Sequence, residues 1–88
     1  MIERTVTIVN RNGLHARPAA EIVKLAAKYQ CEITIMRDDL EVNGKSIMGV
    51  MMLAAEQGSS IRLRATGPDA EQALVDIAQL IANGFGES

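Results

Sequence analysis

The chain has 88 residues, of which 48% are hydrophobic and 23% are charged, and its formal net charge at pH 7 is −2. These values indicate one globular domain over residues 1–88, with too little chain for a deep substrate pocket. The negative charge and the presence of only one Tyr and one Phe argue against a nucleic-acid-binding protein. Cys31 alone permits neither an internal disulfide nor a cysteine-based metal site, and no apolar run has membrane-spanning length, so we expect a cytoplasmic protein.

The chain begins with a predicted strand and helix. Arg4–Val9 alternates with period two and contains several β-branched residues, which is typical of a strand. A polar loop over residues 10–13 follows. The next helix should begin close to His15, because Pro18 suits a first helical turn. Its apolar face is predicted at Ala19, Ile22, Val23 and Ala26, with Glu21, Lys24 and Lys28 on the opposite face.

Two strands and a short helix are predicted next. Glu32–Arg37 alternates as a strand, and an Asp-Asp turn leads into a shorter strand over Leu40–Val42. Ser46 is well placed as the N-cap of a helix that continues to about Leu53. The apolar side of this helix is predicted to consist of Ile47, Val50, Met51 and Ala54.

A last strand and helix complete the predicted fold. Ser60–Thr66 alternates clearly, and Asp69 with Gln72 resembles a capping box for the final helix. The apolar stripe of that helix comprises Ala70, Ala73, Leu74, Ile77 and Ile81, and Asn83-Gly84 ends it. Strands with one polar face imply a sheet covered on one side. The order β-α-β-β-α-β-α therefore predicts an α/β (α+β) open-faced sandwich, with a four-stranded antiparallel sheet and three helices on one face.

The only histidine, His15, lies where an extended segment turns into the first helix. The backbone amides of Ala16 and Arg17 lie at the start of that helix, where unpaired N–H groups and the helix dipole favour anions. The Arg17 guanidinium adds a planar fork that suits phosphoryl oxygens. Because a histidine can act as nucleophile and leaving group near neutral pH, we predict that His15 accepts a phosphoryl group and gives it away.

His15 has two other interpretations. It could simply be a loop histidine that caps a helix. Its neighbours count against this interpretation, because Gly13 permits an unusual backbone angle, Leu14 can be buried and hold the loop, and Arg17 lies close by in the first turn. It could also act as a base beside Ser46 in a small hydrolase, but the sequence shows no obvious orienting carboxylate or pocket. We rank phosphoryl acceptance above hydrolysis.

Ser46 follows a Gly-Lys pair that resembles the end of a nucleotide-binding P-loop. The full pattern needs a glycine where Asp39 stands, so we reject a P-loop. Ser46 is then either a simple N-cap or a phosphorylation site, because the first-turn amides and Lys45 would favour added negative charge.

The segment Ile47–Leu53 contains more apolar residues than one face of a short helix can bury. All of them could belong to the core, with methionines filling gaps. Alternatively, Met48 and some of Ile47, Met51 and Met52 remain exposed as a docking patch. We favour the second interpretation, in which Lys24 lies at the edge of the docking surface.

Two segments, Gly13–Ala19 and Gly44–Met51, resemble the HPr family of histidine-containing phosphocarriers of the bacterial phosphoenolpyruvate-dependent phosphotransferase system. The resemblance covers essentially the whole chain. It implies that His15 carries the phosphoryl group on Nδ1, receives it from enzyme I and passes it to an enzyme IIA domain, while Arg17 stabilises it. No cofactor or metal is expected.

The resemblance also implies regulation and partner contacts. Ser46 matches the serine modified by an HPr kinase/phosphorylase in many bacteria, and Ile47 and Met48 match an apolar contact pair. The segments Ala65–Pro68 and Asn83–Phe85 are also similar to NPr, the homologue of the nitrogen-regulatory branch. The sugar branch, the nitrogen branch and a mainly Ser46-phosphorylated binding module therefore remain open, and we expect a monomer.

Overall fold

The computed structural model of the protein describes residues 1–87. Its elements are β1 (Ile2–Thr7), α1 (Ala16–Ala26), β2 (Glu32–Arg37), β3 (Leu40–Asn43), α2 (Ile47–Met52), β4 (Ser60–Thr66) and α3 (Ala70–Ala82), and a 3-10 turn over Gly84–Gly86 follows α3. The predicted order β-α-β-β-α-β-α is confirmed. None of the helices within residues 1–87 is long and apolar enough to cross a membrane.

The four strands form one antiparallel sheet in the order β1-β4-β2-β3. Thr7 pairs with Ser60, so the end of β1 lies beside the start of β4. Alternation in β4 buries Ile61 and Leu63 under the helices and leaves Arg62 on the open polar face. The predicted open-faced sandwich, with three helices and an antiparallel sheet, is confirmed.

The core lies between the sheet and the helices. All five predicted stripe positions of α3 are buried, whereas in α1 Val23 is only partly buried beside its buried neighbours. Cys31, at the entrance to β2, is 1% exposed and belongs to this core. Lys24 and Lys28 are exposed as predicted, while Arg64 on the open face donates from Nε to Glu3 Oε2 over 2.8 Å.

The first strand was predicted too far along the chain. It spans Ile2–Thr7, and its assigned pairing ends opposite Ser60, where β4 begins. Ile8 is buried and donates its amide to the Ser59 carbonyl over 2.9 Å, but Val9 is exposed and the chain turns away into the loop. The bounds of β4 decide which residues of β1 pair, and the alternation within β1 carries no information about those bounds.

Of the predicted apolar side of α2, only Val50 is buried, and the prediction is wrong for the other three residues. Val50 is buried in this helix and Leu53 is buried immediately after it, whereas Ile47 and Met51 are 45% and 42% exposed and Ala54 is also exposed. This short helix is apolar on more than one face, and its packing against α1 and β3 selects the side that is buried.

The predicted capping box at α3 is also wrong. Asp69 is the N-cap by backbone position, but its carboxylate makes no cap hydrogen bond. It accepts instead from the amides of Gln30 and Cys31 over 2.8 and 2.9 Å, and these bonds, led by that of Gln30, lower its pKa. Gln72 donates to Asp76 within α3 over 2.8 Å. The Asp69 carboxylate thus binds residues just before β2 in place of the predicted cap on α3.

Candidate functional site

His15 is the N-cap residue of α1. Its backbone is extended, with φ −78° and ψ −173°, and its carbonyl accepts the amide of Ala19 over 3.0 Å. The imidazole makes no capping hydrogen bond, and its side chain is 39% exposed. The backbone of His15 therefore starts the helix, while its ring remains accessible at the surface.

The loop before His15 is held by the segment that follows α2. Gly13 has φ +66°, and a Cβ atom at this position would lie 2.3 Å from the carbonyl oxygen of Ala55, so only glycine fits. Leu14 is buried and donates its amide to the same carbonyl over 2.9 Å. Both predicted loop roles are confirmed, and they fix the position from which His15 projects.

Two amide donors lie directly after His15. The N–H groups of Ala16 and Arg17 belong to the first turn of α1 and have no acceptor among residues 1–87. Pro18 has no N–H, and Ala19 is already bonded to His15. The Arg17 side chain is exposed and forms no ion pair within the described part of the chain. The positive end of α1 therefore retains its capacity to bind an anion.

Glu87, which was not predicted as a site residue, contacts His15 through its carboxylate. Glu87 Oε1 lies 3.2 Å from His15 Nε2 and accepts from Asn10 Nδ2 over 3.0 Å. Asn10 is 2% exposed, and the same Nδ2 group donates to the Gly13 carbonyl over 2.9 Å. The hydrogen bond of His15, followed by that of Asn10, holds the pKa of Glu87 below its usual value.

Glu87 reaches His15 because the chain reverses after α3. Gly84, Phe85 and Gly86 have φ values of +63°, +58° and +73°, and Phe85 is buried between the two glycines. The Glu87 amide donates to the Gly84 carbonyl over 2.9 Å, which closes the turn. An aromatic residue between two glycines directly after a helix is the sequence signal for a turn with an anchored side chain here, but it does not indicate where the tail goes.

Ser46 is confirmed as the N-cap of α2, since its Oγ accepts from the Gly49 amide over 3.1 Å. The Lys45 ammonium donates to the Tyr29 carbonyl, just beyond α1, over 2.7 Å, so its hydrogen bond does not go to Ser46. No hydrogen bond within the described residues joins Ser46 to His15. The structure does not assemble the serine–histidine pair that a hydrolase would need.

Four apolar side chains project from α2. Ile47, Met48, Met51 and Met52 are 45%, 74%, 42% and 62% exposed. We call these residues the α2 patch. The interpretation that they remain exposed is confirmed, and their role in docking stays a prediction.

A groove of about 620 Å³ adjoins the α2 patch along α1. It is lined by Arg17, Ala20, Glu21, Val23, Lys24, Ala27 and Ile47. Arg17 and Lys24 therefore share one groove with Ile47, which connects the basic side chains of α1 to the α2 patch.

Comparison with known proteins identifies the family of this chain. The family model "PTS HPr component phosphorylation site" matches residues 2–83. The phosphocarrier protein HPr of Treponema pallidum is 48% identical over 87 residues, which cover 99% of each chain. A crystal structure of HPr from Thermoanaerobacter tengcongensis superimposes with a TM-score of 0.96 at 45% identity, covering 100% of this chain and 99% of that one. An HPr dimer from the same organism gives a TM-score of 0.79 at 46% identity, covering 99% of this chain and 100% of that one. The chain belongs to the HPr family of phosphocarrier proteins.

Proposed function

We propose that this HPr-family protein accepts a phosphoryl group from phospho-enzyme I on His15 and passes it to an enzyme IIA component. The process served would be phosphoenolpyruvate-dependent sugar uptake and its regulation. The observation that supports this best is the exposed His15 ring beside two amides, of Ala16 and Arg17, that lack acceptors among the described residues. Unpaired first-turn amides occur at any helix start, so it is their combination with the exposed ring and the exposed Arg17 guanidinium that favours a phosphoryl ligand.

The proposed transfer needs no cofactor or metal. The lone pair on Nδ1 of His15 attacks the phosphorus of a phosphohistidine on the donor, a new N–P bond forms, and the donor's N–P bond breaks. The transition state spreads negative charge over three phosphoryl oxygens, so catalysis depends mainly on positioning and electrostatics. The amides of Ala16 and Arg17 and the Arg17 guanidinium are the donors that this charge would meet. Onward transfer repeats the step with His15 as the leaving group.

The α2 patch would supply the docking surface for these partners. Met48 is its most exposed member, and Lys24 lies in the adjoining groove. An exposed phosphohistidine must be reached by a second histidine, which requires an open surface around the donor. We therefore propose a monomeric cytoplasmic carrier whose α1 and α2 faces are free for enzyme I and enzyme IIA.

Ser46 would be the regulatory site of an HPr kinase/phosphorylase. Its hydroxyl caps α2, directly before Ile47 and Met48. A phosphoryl group there adds nearly two negative charges at a helix start, where the dipole tolerates them. The added charge would have to lose its water when an apolar partner surface docked, which weakens binding. Ser46 phosphorylation would thus oppose phosphorylation of His15 without unfolding the domain.

The test is incubation with labelled phosphoenolpyruvate and purified enzyme I, followed by acid treatment. We expect label that is lost in acid, because phosphohistidine is acid-labile and phosphoserine is stable. Wild-type protein that takes no label, or only acid-stable label, would contradict the proposal. Offering the labelled protein a sugar-specific enzyme IIA and a nitrogen-regulatory one, separately, then distinguishes the sugar branch from the NPr alternative by which acceptor takes the label faster.

A further inference from the structure

The proton of a neutral imidazole can lie on either ring nitrogen, and the partner of one nitrogen decides the choice. Glu87 Oε1 is 3.2 Å from His15 Nε2, and a carboxylate can only accept. This contact favours a proton on Nε2 and leaves the lone pair on Nδ1. A histidine that must attack through Nδ1 needs this tautomer.

The position of Glu87 is set by contacts other than the one to His15. Asn10 is buried, and one amino group of its side chain binds both the Gly13 carbonyl and Glu87 Oε1. The buried Phe85 and the bond from the Glu87 amide to Gly84 hold the tail from the other side. Glu87 is therefore held beside the ring at two points, by Asn10 at its carboxylate and by the turn after α3 at its backbone.

A charge also appears on the ring during transfer. When Nδ1 bonds to phosphorus and Nε2 keeps its proton, the imidazole ring becomes cationic while the phosphoryl group remains anionic. No proton has to leave or enter, because the departing donor ring keeps its own N–H and becomes neutral. A carboxylate at Nε2 stabilises such a ring, as the aspartate does in the serine protease triad.

We propose that Glu87, held in place by Asn10, is a positioning residue that keeps the His15 proton on Nε2, directs phosphorylation to Nδ1 and neutralises the ring charge of the phosphorylated state. The directing role rests on the proposed function, because it matters only where His15 accepts phosphorus. The effect on the tautomer is independent of that function.

The experiment compares wild type with Glu87→Gln and Glu87→Ala. A glutamine oxygen can occupy the place of Oε1, because Asn10 Nδ2 points at it, so this variant keeps the acceptor and loses the charge. Alanine loses both. Glu32→Gln is the matched control, since it removes the same charge from an exposed residue that pairs with Thr66 at the other end of the sheet. Thermal melting checks that each variant is folded.

The first measurement is the tautomer of His15 by nitrogen-15 NMR at a pH where the ring is neutral, without any phosphoryl donor. We expect wild type, Glu87→Gln and Glu32→Gln to carry the proton mainly on Nε2, and Glu87→Ala to show a clear shift towards Nδ1–H. An unchanged Nε2–H population in Glu87→Ala would overturn the tautomer role. This result stands whether or not enzyme I acts on the protein.

The second measurement is the rate of His15 labelling by enzyme I and the level of phosphoprotein at equilibrium. We expect Glu87→Ala to slow labelling about tenfold, the lower end of the range found when the hydrogen-bonded partner of a metal-ligating histidine is removed. Glu87→Gln should lower both rate and level by a smaller factor, and Glu32→Gln should change neither. Equal rates and levels for wild type and both Glu87 variants would overturn the charge role, whereas absence of label in wild type would contradict the proposed function instead.

Discussion

The starts of α1 and α2 have similar N-cap backbones but differ in what the N-cap side chain binds. Both N-cap residues, His15 and Ser46, have extended backbones, and both carbonyls accept the first helical hydrogen bond over 3.0 Å. Ser46 then uses its hydroxyl to bind the Gly49 amide, whereas the His15 ring binds no amide of its helix. Each start leaves its first two amides without an acceptor among residues 1–87, and they differ at the third position, where the Gly49 amide of α2 is capped and Pro18 of α1 has no N–H. The starts therefore differ in the N-cap side chain: that of Ser46 is bound to its own helix, which we call the closed start, and that of His15 remains accessible, which we call the open start.

The largest expected effect comes from removing the ring at the open start. His15→Ala should reduce enzyme I-dependent labelling to background, because no other histidine is present. Its melting temperature should stay close to that of wild type, since the side chain is 39% exposed and caps nothing. Labelling with enzyme I and a melting curve on the same preparation check both parts. Acid-labile phosphate on the folded variant would refute the assignment of His15.

The second-largest effect is expected from removing the Arg17 guanidinium beside His15. Arg17→Ala should slow onward transfer to enzyme IIA by at least ~10-fold, which corresponds to about 1.4 kcal/mol of barrier, because the guanidinium is lost where phosphoryl charge develops. Single-turnover transfer from labelled protein measures this. Arg62→Ala is the control, as it removes an exposed guanidinium from the open face of the sheet. Equal rates for the two variants would mean that the amides of α1 suffice.

The α2 patch should control docking. Met48→Asp should weaken enzyme I binding with little change in melting temperature, because Met48 is 74% exposed and the new charge would have to be desolvated in the complex. Titration calorimetry with enzyme I measures the affinity. Val75→Asp, on the exposed side of α3, is the control for adding a charge to an apolar surface residue. A large loss of stability in Met48→Asp, or equal affinities for both variants, would exclude Met48 from the docking surface.

The smallest effects concern the closed start. Ser46→Ala should lower the free energy of unfolding by about 0.5–2 kcal/mol, because the Gly49 amide loses its acceptor. It should leave the rate of His15 labelling unchanged. Ser46→Asp restores an acceptor and adds charge next to the α2 patch, so it should slow labelling while the domain stays folded. Denaturant unfolding and labelling rates check these expectations, and equal labelling for wild type and Ser46→Asp would leave Ser46 as a cap only.

The two helix starts also differ in how far sequence could predict them. The cap at Ser46 and the role of Gly13 before His15 were predictable, because each depends on residues close by in the chain. The partner of the His15 ring was not, since Glu87 follows it by 72 residues. An orienting carboxylate for His15 was not predictable, because nothing local indicates that the tail after α3 returns to the start of α1. Only the combination of Gly84, Phe85 and Gly86 hinted at a turn with an anchored side chain.

Local pattern by itself determined the element order, the antiparallel sheet, the buried stripe of α3 and the position of His15 at a helix start. These features follow from periods of 2 and 3.6 residues and from caps that act over a few positions. Tertiary structure decided which face of α2 is buried, that the Asp69 carboxylate binds the amides just before β2 and not those of α3, and that Glu87, held by Asn10, contacts the histidine. Each of these outcomes depends on which surfaces meet when the chain folds. The sequence around an apolar face or a carboxylate does not indicate which distant residues will contact it.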